Sequence, residues 1–328
     1  MKIAILDDYQ NAVRTLDCFK LLEQHDVRVF EHGTKGLGQL AIRLAPFDAV
    51  VLIRERTSFP RALLGKLPNL KLISQTGKVS GHIDVAAATE RGIAIAEGTG
   101  SPVAPAELTW ALIMAASRKL LPYATNLKQG LWQTASINPV LNGLGRVLHG
   151  RTLGIWGYGK IGKLLAGYAK AFGMHVLVWG SEASRTAAQR DGHAAAASRE
   201  AFFETADVLS VHLRLAEATR GIVTAADLAR MKPDALFVNT SRAELVEEGA
   251  LETALHRGRP GAAALDVFAS EPLAADAPIL QIPTVLATPH LGYVERDSYE
   301  LYFRAAFENV VNFAAGKPTN ILNPEALG

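Results

Sequence analysis

Three residues whose side chains suit proton transfer and anion binding each follow an apolar stretch typical of a buried strand. They are Arg242 after residues 235–240, Glu271 after residues 262–267, and His290 after residues 284–288. Because ligands of an open parallel sheet bind beyond the carboxyl ends of its strands, we expect these side chains at one edge of a sheet.

This trio suits the chemistry of a 2-hydroxy acid. Arg242 offers a planar, permanently charged fork that can hold a carboxylate and polarise the neighbouring carbonyl. His290 can take the hydroxyl proton as hydride leaves and return it in reduction. Glu271, bonded to the other imidazole nitrogen, would fix the tautomer of the ring. Taken singly, such an arginine is usually in a surface ion pair and such a histidine is usually structural, but the three together favour catalysis.

A dinucleotide-binding fingerprint precedes these residues in the chain. Gly157, Gly159 and Gly162 lie between a predicted strand, residues 152–156, and a predicted helix, residues 160–172. The first glycine permits a tight turn, the second lets the backbone approach a pyrophosphate, and the third lets the helix pack closely on the strand. The pyrophosphate would rest on the amino end of the helix. A second predicted strand closes a βαβ unit, and this context favours dinucleotide binding over a merely structural turn.

Short apolar runs alternate with helical patterns along the chain, which predicts an α/β fold with two doubly wound parallel-sheet domains. Residues 1–98, joined by 294–328, form the first predicted domain, a flavodoxin-like substrate domain. Residues 99–293 form the second, a Rossmann dinucleotide-binding domain. Residues 11–23 and residues 103–120 are each predicted to form one helix.

Composition and charge limit the classes of function. Of the 328 residues, 49% are hydrophobic and 20% are charged, and the net charge of +2 gives no electrostatic reason for binding nucleic acid or an anionic membrane. The single cysteine, Cys18, excludes an internal disulfide and a cysteine-cluster metal site, and no metal site is predicted. The N-terminus lacks the features of a signal peptide and no run of 18 apolar residues occurs, so we expect a cytoplasmic protein without a membrane span.

The chain resembles the D-isomer-specific 2-hydroxyacid dehydrogenases, a family that includes phosphoglycerate, glycerate and D-lactate dehydrogenases. The resemblance covers almost the whole chain and rests on Leu153-Gly-Ile-Trp-Gly-Tyr-Gly-Lys-Ile-Gly162, Phe237-Val-Asn-Thr-Ser-Arg-Ala-Glu-Leu-Val246, Ala264-Leu-Asp-Val-Phe-Ala-Ser-Glu-Pro-Leu273 and Ala287-Thr-Pro-His-Leu-Gly292. It implies an NAD(P)-dependent oxidoreductase acting on the CH–OH group of a D-2-hydroxy acid. Arg242 would bind and activate the substrate, His290 would be the acid/base, and Glu271 would be the partner of His290.

The resemblance extends to the first domain. Residues 74–84 resemble the family's glycine loop, whose backbone amides receive the substrate carboxylate, which makes Gly77, Lys78 and Val79 candidate substrate-binding residues. Arg54 matches a position near the substrate in some members, and a surface ion pair with a neighbour is the alternative. The charge of Lys78 would favour a dianionic or phosphorylated substrate, unless Lys78 is a solvated loop lysine.

The predicted cofactor-binding residues are Gly157, Tyr158, Gly159, Lys160, Ile161, Gly162, Gly180, Ser181, Arg185, Thr240 and Asp266. Asp266 resembles the family's residue near the nicotinamide carboxamide. Gly180 stands where NAD-specific enzymes carry an acidic residue, so Ser181 or Arg185 could bind the 2′-phosphate of NADP. Glu182 lies close enough to restore a preference for NAD. NAD and NADP both stay open, and the frequency of NAD use in the family favours NAD.

The same residues are compatible with other functions. One alternative is a non-enzymatic, dinucleotide-sensing scaffold of the same fold, similar to a transcriptional corepressor. Another is oxidation of formate or phosphite, but formate enzymes carry an amide where this chain has Glu271.

The apolar content of the second domain bears on assembly. Residues 103–120 and the loop that follows to Leu148 carry more apolar side chains than one buried helix face needs. They predict a homodimer joined largely through the second domain.

Overall fold

The chain forms two compact units, each with its own parallel sheet. A computed structural model describes residues 1–34, 36–134 and 138–328. One unit is Met1–Ser101 with Val294–Gly328, and the other is Pro102–Tyr293. The predicted fold class, two doubly wound parallel-sheet domains, is confirmed. Within the described ranges, no helix is both long enough and apolar enough to span a membrane.

The elements follow one another in alternation along the chain. The strands are β1 (Lys2–Ile5), β2 (Asp26–Val29), β3 (Ala49–Leu52), β4 (Leu72–Gln75), β5 (Ala94–Ala96), β6 (Thr152–Trp156), β7 (His175–Trp179), β8 (Ala194–Ala195), β9 (Val208–Val211), β10 (Leu236–Asn239), β11 (Ala262–Leu265) and β12 (Val285–Ala287). The helices are α1 (Leu37–Leu44), α2 (Arg61–Leu64), α3 (Val85–Glu90), α4 (Val103–Ser117), α5 (Leu120–Lys128), α6 (Pro139–Asn142), α7 (Lys160–Ala171), α8 (Glu182–Arg190), α9 (Arg199–Thr205), α10 (Ala225–Arg230), α11 (Ala250–His256) and α12 (Arg296–Ala314).

The first unit has a five-stranded sheet in the order β2-β1-β3-β4-β5, which is the flavodoxin-like order. Its central strands are buried on both faces because helices cover both, and this explains their continuous apolar sequence. The C-terminal helix α12 belongs to this unit. It is capped at its amino end by Glu295, whose carboxylate accepts hydrogen bonds from the amides of Asp297 and Ser298. It packs through Phe303 and Phe307, which are buried.

The second unit has a seven-stranded sheet in the order β12-β11-β10-β9-β6-β7-β8. The order reverses at β6, which is the topological switch point where a Rossmann fold binds its dinucleotide. Four large aromatic side chains fill much of the core on one face of this sheet, namely Trp156, Phe202, Phe203 and Phe237. Because neighbouring strands of this sheet pair in parallel, the carboxyl ends of β6, β10, β11 and β12 lie at one edge of it.

Two helices predicted as continuous are interrupted. Residues 11–23 form two 3-10 helices, Val13–Thr15 and Asp17–Leu22, because Leu16 between them is extended. Residues 103–120 form α4 and the beginning of α5, because Lys119 adopts a left-handed conformation with a φ of +51°. The ammonium group of Lys119 donates to the carbonyl oxygen of Val140 at 2.6 Å, which ties the break to the segment that follows α5.

Candidate active site

The glycine-rich turn lies between β6 and α7. A Cβ atom on Gly157, whose φ is +104°, would lie 2.5 Å from the carbonyl oxygen of His212, and one on Gly162 would lie 2.3 Å from the carbonyl oxygen of Gly157. A Cβ atom on Gly159 would meet nothing within 4 Å. Gly159 caps α7 without any side chain bonding to the first amides of the helix. The protein itself requires the first and third glycines, and the open space at the second fits the approach of a pyrophosphate.

The residues between these glycines hold the turn in place. Tyr158 is buried, and its hydroxyl donates to the carboxylate of Asp191 at 3.2 Å. Burial, aided by that hydrogen bond, raises the pKa of Tyr158 to about 12. Lys163 lies 3.2 Å from the same carboxylate. Lys160 is exposed at the beginning of α7, and Ile161 packs against the core. Tyr158 thus anchors the turn to the end of α8.

The residues predicted to meet the cofactor ribose lie between β7 and α8. Gly180 has a φ of +148° and Ser181 caps α8, its hydroxyl accepting from the amide of Ser184 at 3.3 Å. The guanidinium of Arg185 stacks over the ring of Trp179, with its carbon 5.0 Å from the ring centroid. A serine hydroxyl, an arginine and a helix amino end therefore meet where NAD-specific enzymes carry a carboxylate.

Glu271 and His290 form a hydrogen-bonded pair. The Nδ1 atom of His290 lies 2.7 Å from Oε2 of Glu271, and the amide of Phe268 donates to Oε1 at 2.9 Å. Burial would raise the pKa of Glu271, but the hydrogen bond and charge of His290, the Phe268 amide and the charge of Arg242 outweigh burial and lower the pKa. Glu271 is therefore ionised at neutral pH and accepts from Nδ1–H. This assigns the tautomer and leaves Nε2 of His290 to exchange a proton.

Arg242 is held at the carboxyl end of β10 by its own neighbours. The side-chain amide of Asn239 donates to the carbonyl oxygen of Arg242 at 2.9 Å, and one guanidinium nitrogen of Arg242 donates to the carbonyl oxygen of Ser241 at 2.7 Å. The hydroxyls of Thr240 and of Thr109 in α4 lie 2.7 Å apart. The structure thus brings Arg242 to the same edge of the sheet as Glu271 and His290.

Asp266 shapes the loop that carries His290. Its carboxylate is fully buried after β11 and accepts from the Thr288 hydroxyl at 2.7 Å and from the amides of Leu291 at 2.7 Å and Gly292 at 2.9 Å. Burial raises the pKa of Asp266 against the opposing effect of these hydrogen bonds. His290 itself has a φ of +53°, a left-handed conformation that the flanking hydrogen bonds sustain. No local sequence pattern indicates this clamping role of Asp266.

The first unit presents Arg54 beside the predicted carboxylate loop. The amide of Arg54, whose φ is +52°, donates to the Thr76 hydroxyl at 3.0 Å, and the side-chain amide of Gln75 donates to the carbonyl oxygen of Arg54 at 3.0 Å. A Cβ atom on Gly77 would lie 2.0 Å from a guanidinium nitrogen of Arg54, so the arginine covers this glycine. Arg54 also lies 3.8 Å from Glu55. The ion pair with a neighbour is therefore present, and contact between Arg54 and the substrate stays a prediction.

Lys78 and Val79 both contact Glu97, a residue that the sequence patterns do not single out. The ammonium group of Lys78 lies 2.8 Å from Oε2 of Glu97, and the amide of Val79 donates to Oε1 at 2.9 Å. The amide of Val79 is thus occupied, whereas the amides of Gly77 and Lys78 donate to no protein acceptor in the part of the chain that the structure describes. The sequence signal that could have identified Glu97 is its position, because Glu97 directly follows β5, the strand beside β4 in the sheet.

Comparison with known proteins agrees with this geometry. Residues 110–292 match the family described as D-isomer specific 2-hydroxyacid dehydrogenase, NAD binding domain. The chain is 37% identical to a glyoxylate reductase of Aeropyrum pernix over 269 residues, 81% of this chain and 80% of that protein. The chain belongs to the D-isomer specific 2-hydroxyacid dehydrogenase family.

Two further relatives are phosphoglycerate enzymes. Over 278 residues the chain is 35% identical to a D-3-phosphoglycerate dehydrogenase of Methanocaldococcus jannaschii, which covers 84% of this chain but 51% of that longer protein. The crystal structure of a phosphoglycerate oxidoreductase from Vibrio cholerae O395 superposes with a TM-score of 0.93 at 59% identity, covering 96% of this chain and 99% of that one.

Family membership confirms the class of activity predicted from the sequence. The protein is an NAD(P)-dependent oxidoreductase that interconverts a D-2-hydroxy acid and a 2-oxo acid. The relatives are reductases and dehydrogenases, which supports the enzymatic function over the dinucleotide-sensing scaffold.

Proposed function

We propose that this protein reduces a small 2-oxo acid to the D-2-hydroxy acid with Arg242, Glu271 and His290 as its catalytic residues. Residues 99–293 would bind the cofactor, and residues 1–98 with 294–328 would contribute substrate-binding groups. The observation that carries the proposal is the 2.7 Å hydrogen bond between His290 and Glu271. It orients an acid/base beside an arginine at the edge of the sheet that bears the glycine-rich turn.

Arg242, His290 and Glu271 would each have a separate role in the proposed reaction. A bound nicotinamide would supply the hydride in reduction and accept it in oxidation. Arg242 would hold the substrate carboxylate with its planar fork and draw electron density from the adjacent carbonyl. His290 would give its Nε2 proton to the carbonyl oxygen in reduction and take the hydroxyl proton in oxidation. Glu271 would keep the imidazole in the required tautomer and stabilise its positive charge.

For cofactor binding we propose the same residues that the sequence predicts. The open space at Gly159, the uncapped amides of α7 and the rigid anchoring of Tyr158 support pyrophosphate binding at residues 157–162. Ser181 and Arg185 would meet the ribose, and Thr240 and Asp266 would lie near the nicotinamide. Because Gly180 brings no carboxylate, both NAD and NADP can be accommodated at this position, and the family frequency favours NAD.

Turnover tests the proposal directly. Oxidation of NADH and of NADPH should be followed spectrophotometrically with a panel of glyoxylate, hydroxypyruvate, pyruvate and 3-phosphohydroxypyruvate. At least one of these 2-oxo acids should be reduced with the kcat/KM of a true substrate, above about 10⁴ M⁻¹s⁻¹. Binding of the dinucleotide without turnover of any 2-oxo acid would favour the scaffold instead.

The pH dependence of the reaction should report the Glu271–His290 pair. Because the pKa of Glu271 lies below its ordinary value, the carboxylate stays charged through neutral and mildly acidic pH and loses its charge only as the pH falls through that lowered pKa. This negative charge favours the protonated imidazole that reduction needs. In Glu271→Gln, this acidic limit should disappear from the pH profile of kcat/KM for reduction, because no carboxylate is left at position 271 to titrate.

The matched control for this pH profile is Glu252→Gln, which removes a carboxylate from α11 in the same unit. It should leave the acidic limit where it is in the unaltered protein. Equal pH profiles for Glu271→Gln and the unaltered protein would contradict the assigned partnership.

We also infer that the protein is a homodimer joined through the second unit. This unit exposes large apolar side chains in one region of the chain, namely Leu120, Leu121, Leu127, Trp132, Val140, Leu144 and Val147. A cavity of about 600 Å³ lies among α5, α6 and the amino ends of β9 to β12, with Leu121 and Leu144 in its lining. Apolar surface of this extent is typical of an interface, and a second copy is the simplest partner because most oligomers are symmetric.

Sedimentation at micromolar concentration should give about 70 kDa, twice the 35.1 kDa of the chain. Leu144 is 95% exposed, so Leu144→Asp should shift the protein toward the monomer by placing a charge in the interface without disturbing the fold. Ile42→Asp is the control, because Ile42 is 80% exposed in the first unit. A monomer of the unaltered chain, or equal behaviour of the two variants, would argue against this interface.

A further inference from the structure

The carboxylate of Glu97 is bound to two consecutive residues of the predicted substrate loop. It accepts from the Lys78 ammonium group at 2.8 Å and from the Val79 amide at 2.9 Å. The side chain of Glu97 is 17% exposed, whereas that of Lys78 is 71% exposed. The Glu97 carboxylate is therefore the more buried member of this pair, and the Lys78 side chain reaches it from the solvent side.

The backbone holds Glu97 firmly beside the loop. Ser74 of β4 pairs with Ala96 of β5. Glu97 directly follows Ala96, so it lies beside the beginning of the predicted carboxylate loop. The amide of Glu97 donates to the carbonyl oxygen of Asn320 at 2.9 Å, and the side-chain amide of Asn309 donates to the carbonyl oxygen of Glu97 at 3.1 Å. These contacts fix the main chain on both sides of the Glu97 Cα atom, so the side chain extends from a fixed position beside the loop.

The next residue, Gly98, binds the loop backbone directly. Its amide donates to the carbonyl oxygen of Gly77 at 2.9 Å. A Cβ atom on Gly98 would lie 2.6 Å from the carbonyl oxygen of Gln75 and 2.9 Å from the amide nitrogen of Gly77. Only glycine allows this approach, and it brings the Glu97–Gly98 peptide against the turn that would receive an anion.

The charges of this region cancel in pairs. Lys78 is paired with Glu97, and Arg54, which covers Gly77, is paired with Glu55 at 3.8 Å. Two cations thus face two anions around the loop. The Val79 amide, which could otherwise bind an anion, is occupied by Glu97. Two available amides suit a single carboxylate, whereas a phosphate group carries nearly two charges at pH 7 and would gain less attraction from a Lys78 whose charge Glu97 offsets.

We propose that Glu97 is a specificity-determining residue that restricts the loop to small monoanionic 2-oxo acids and disfavours phosphorylated ones by pairing with Lys78 and Val79. The inference rests on the proposed function for its substrate class. It also explains how a lysine in the loop need not signal a phosphorylated substrate.

The variant Glu97→Gln separates this role from a purely structural one. A glutamine oxygen still accepts from the Val79 amide, so the loop stays tied, but the negative charge beside Lys78 is gone. Glu97→Ala removes both the tie and the charge. Lys78→Met serves as the matched variant of the partner, because methionine keeps most of the apolar stem and removes only the ammonium group.

The informative quantity is the ratio of kcat/KM for 3-phosphohydroxypyruvate to that for hydroxypyruvate, two 2-oxo acids that differ by the phosphate group. In Glu97→Gln this ratio should rise about 10-fold at low salt, because one unit of repulsion on the more highly charged substrate is removed. The rise should shrink at high ionic strength, since both partners are near solvent. Adding Lys78→Met to Glu97→Gln should return the ratio to that of the unaltered protein. An unchanged ratio in Glu97→Gln, or an equal loss for both substrates, would overturn the proposal and leave Glu97 as a structural tie.

A second measurement does not depend on turnover. Calorimetric titration with D-3-phosphoglycerate and with D-glycerate should show the same rise in relative affinity for the phosphorylated acid in Glu97→Gln. If the unaltered protein reduced no 2-oxo acid but the affinity ratio still changed, the proposed function would fail while the role of Glu97 stood. If neither acid bound to either protein, the role of Glu97 would fail.

Discussion

Replacing His290 with alanine should lower kcat for reduction by about 10²–10⁴-fold, the usual worth of a positioned acid/base. The reason is geometric. Nδ1 of His290 is bonded to Glu271 at 2.7 Å, so Nε2 is the nitrogen that can exchange a proton with the substrate oxygen. Without it, the proton must come from water, which is a poorer acid and is not held in position.

The His290 variant should still bind the dinucleotide with unchanged affinity, since the glycine-rich turn is formed by other residues. Stopped-flow measurement of the hydride step and fluorescence titration of the cofactor separate the two effects. His175→Ala is the matched control, because His175 is an exposed histidine at the beginning of β7. Turnover of His290→Ala at the rate of the unaltered protein would show that the acid/base lies elsewhere.

The fold could be predicted from the sequence because its signals are local and repeated. Buried strands such as β3, with four consecutive apolar residues, alternate with helices, and the glycines after β6 have the spacing that a dinucleotide-binding turn requires. The same logic predicted that Arg242, Glu271 and His290 would gather at one sheet edge. Their catalytic roles stay predictions, which the variants of these three residues test.

The remaining features depend on contacts between residues far apart in the chain. The hydrogen bonds that the buried Asp266 carboxylate accepts from the loop of His290 depend on the register of β11 with β12. The pairing of Glu97 with Lys78 needs the register of β4 with β5. The break at Lys119 interrupts a sequence of good helix formers, so tertiary contacts, including its bond to Val140, outweigh helix propensity there.

Replacing Arg242 should impair both substrate binding and the chemical step. Arg242→Ala removes a fork that can make two charge-assisted hydrogen bonds to a carboxylate, each worth about 1.5–3 kcal/mol, so kcat/KM should fall by about 10²–10⁴-fold. Arg242→Lys keeps the charge but loses the planar fork and should recover only part of this loss, mainly in KM. Cofactor affinity should stay the same in both variants.

The comparison of the two Arg242 variants is the decisive part of the test. If Arg242 acted only as a positive charge, lysine would restore kcat as well as KM. If it orients and polarises the substrate, kcat of Arg242→Lys should stay well below that of the unaltered protein even at saturating substrate. Arg257→Ala, an exposed arginine just after α11, controls for a general loss of positive charge in this unit. The charge of Arg242 also contributes to the lowered pKa of Glu271, so the alanine variant should in addition raise that pKa and shift the pH profile, an effect the lysine variant should not show.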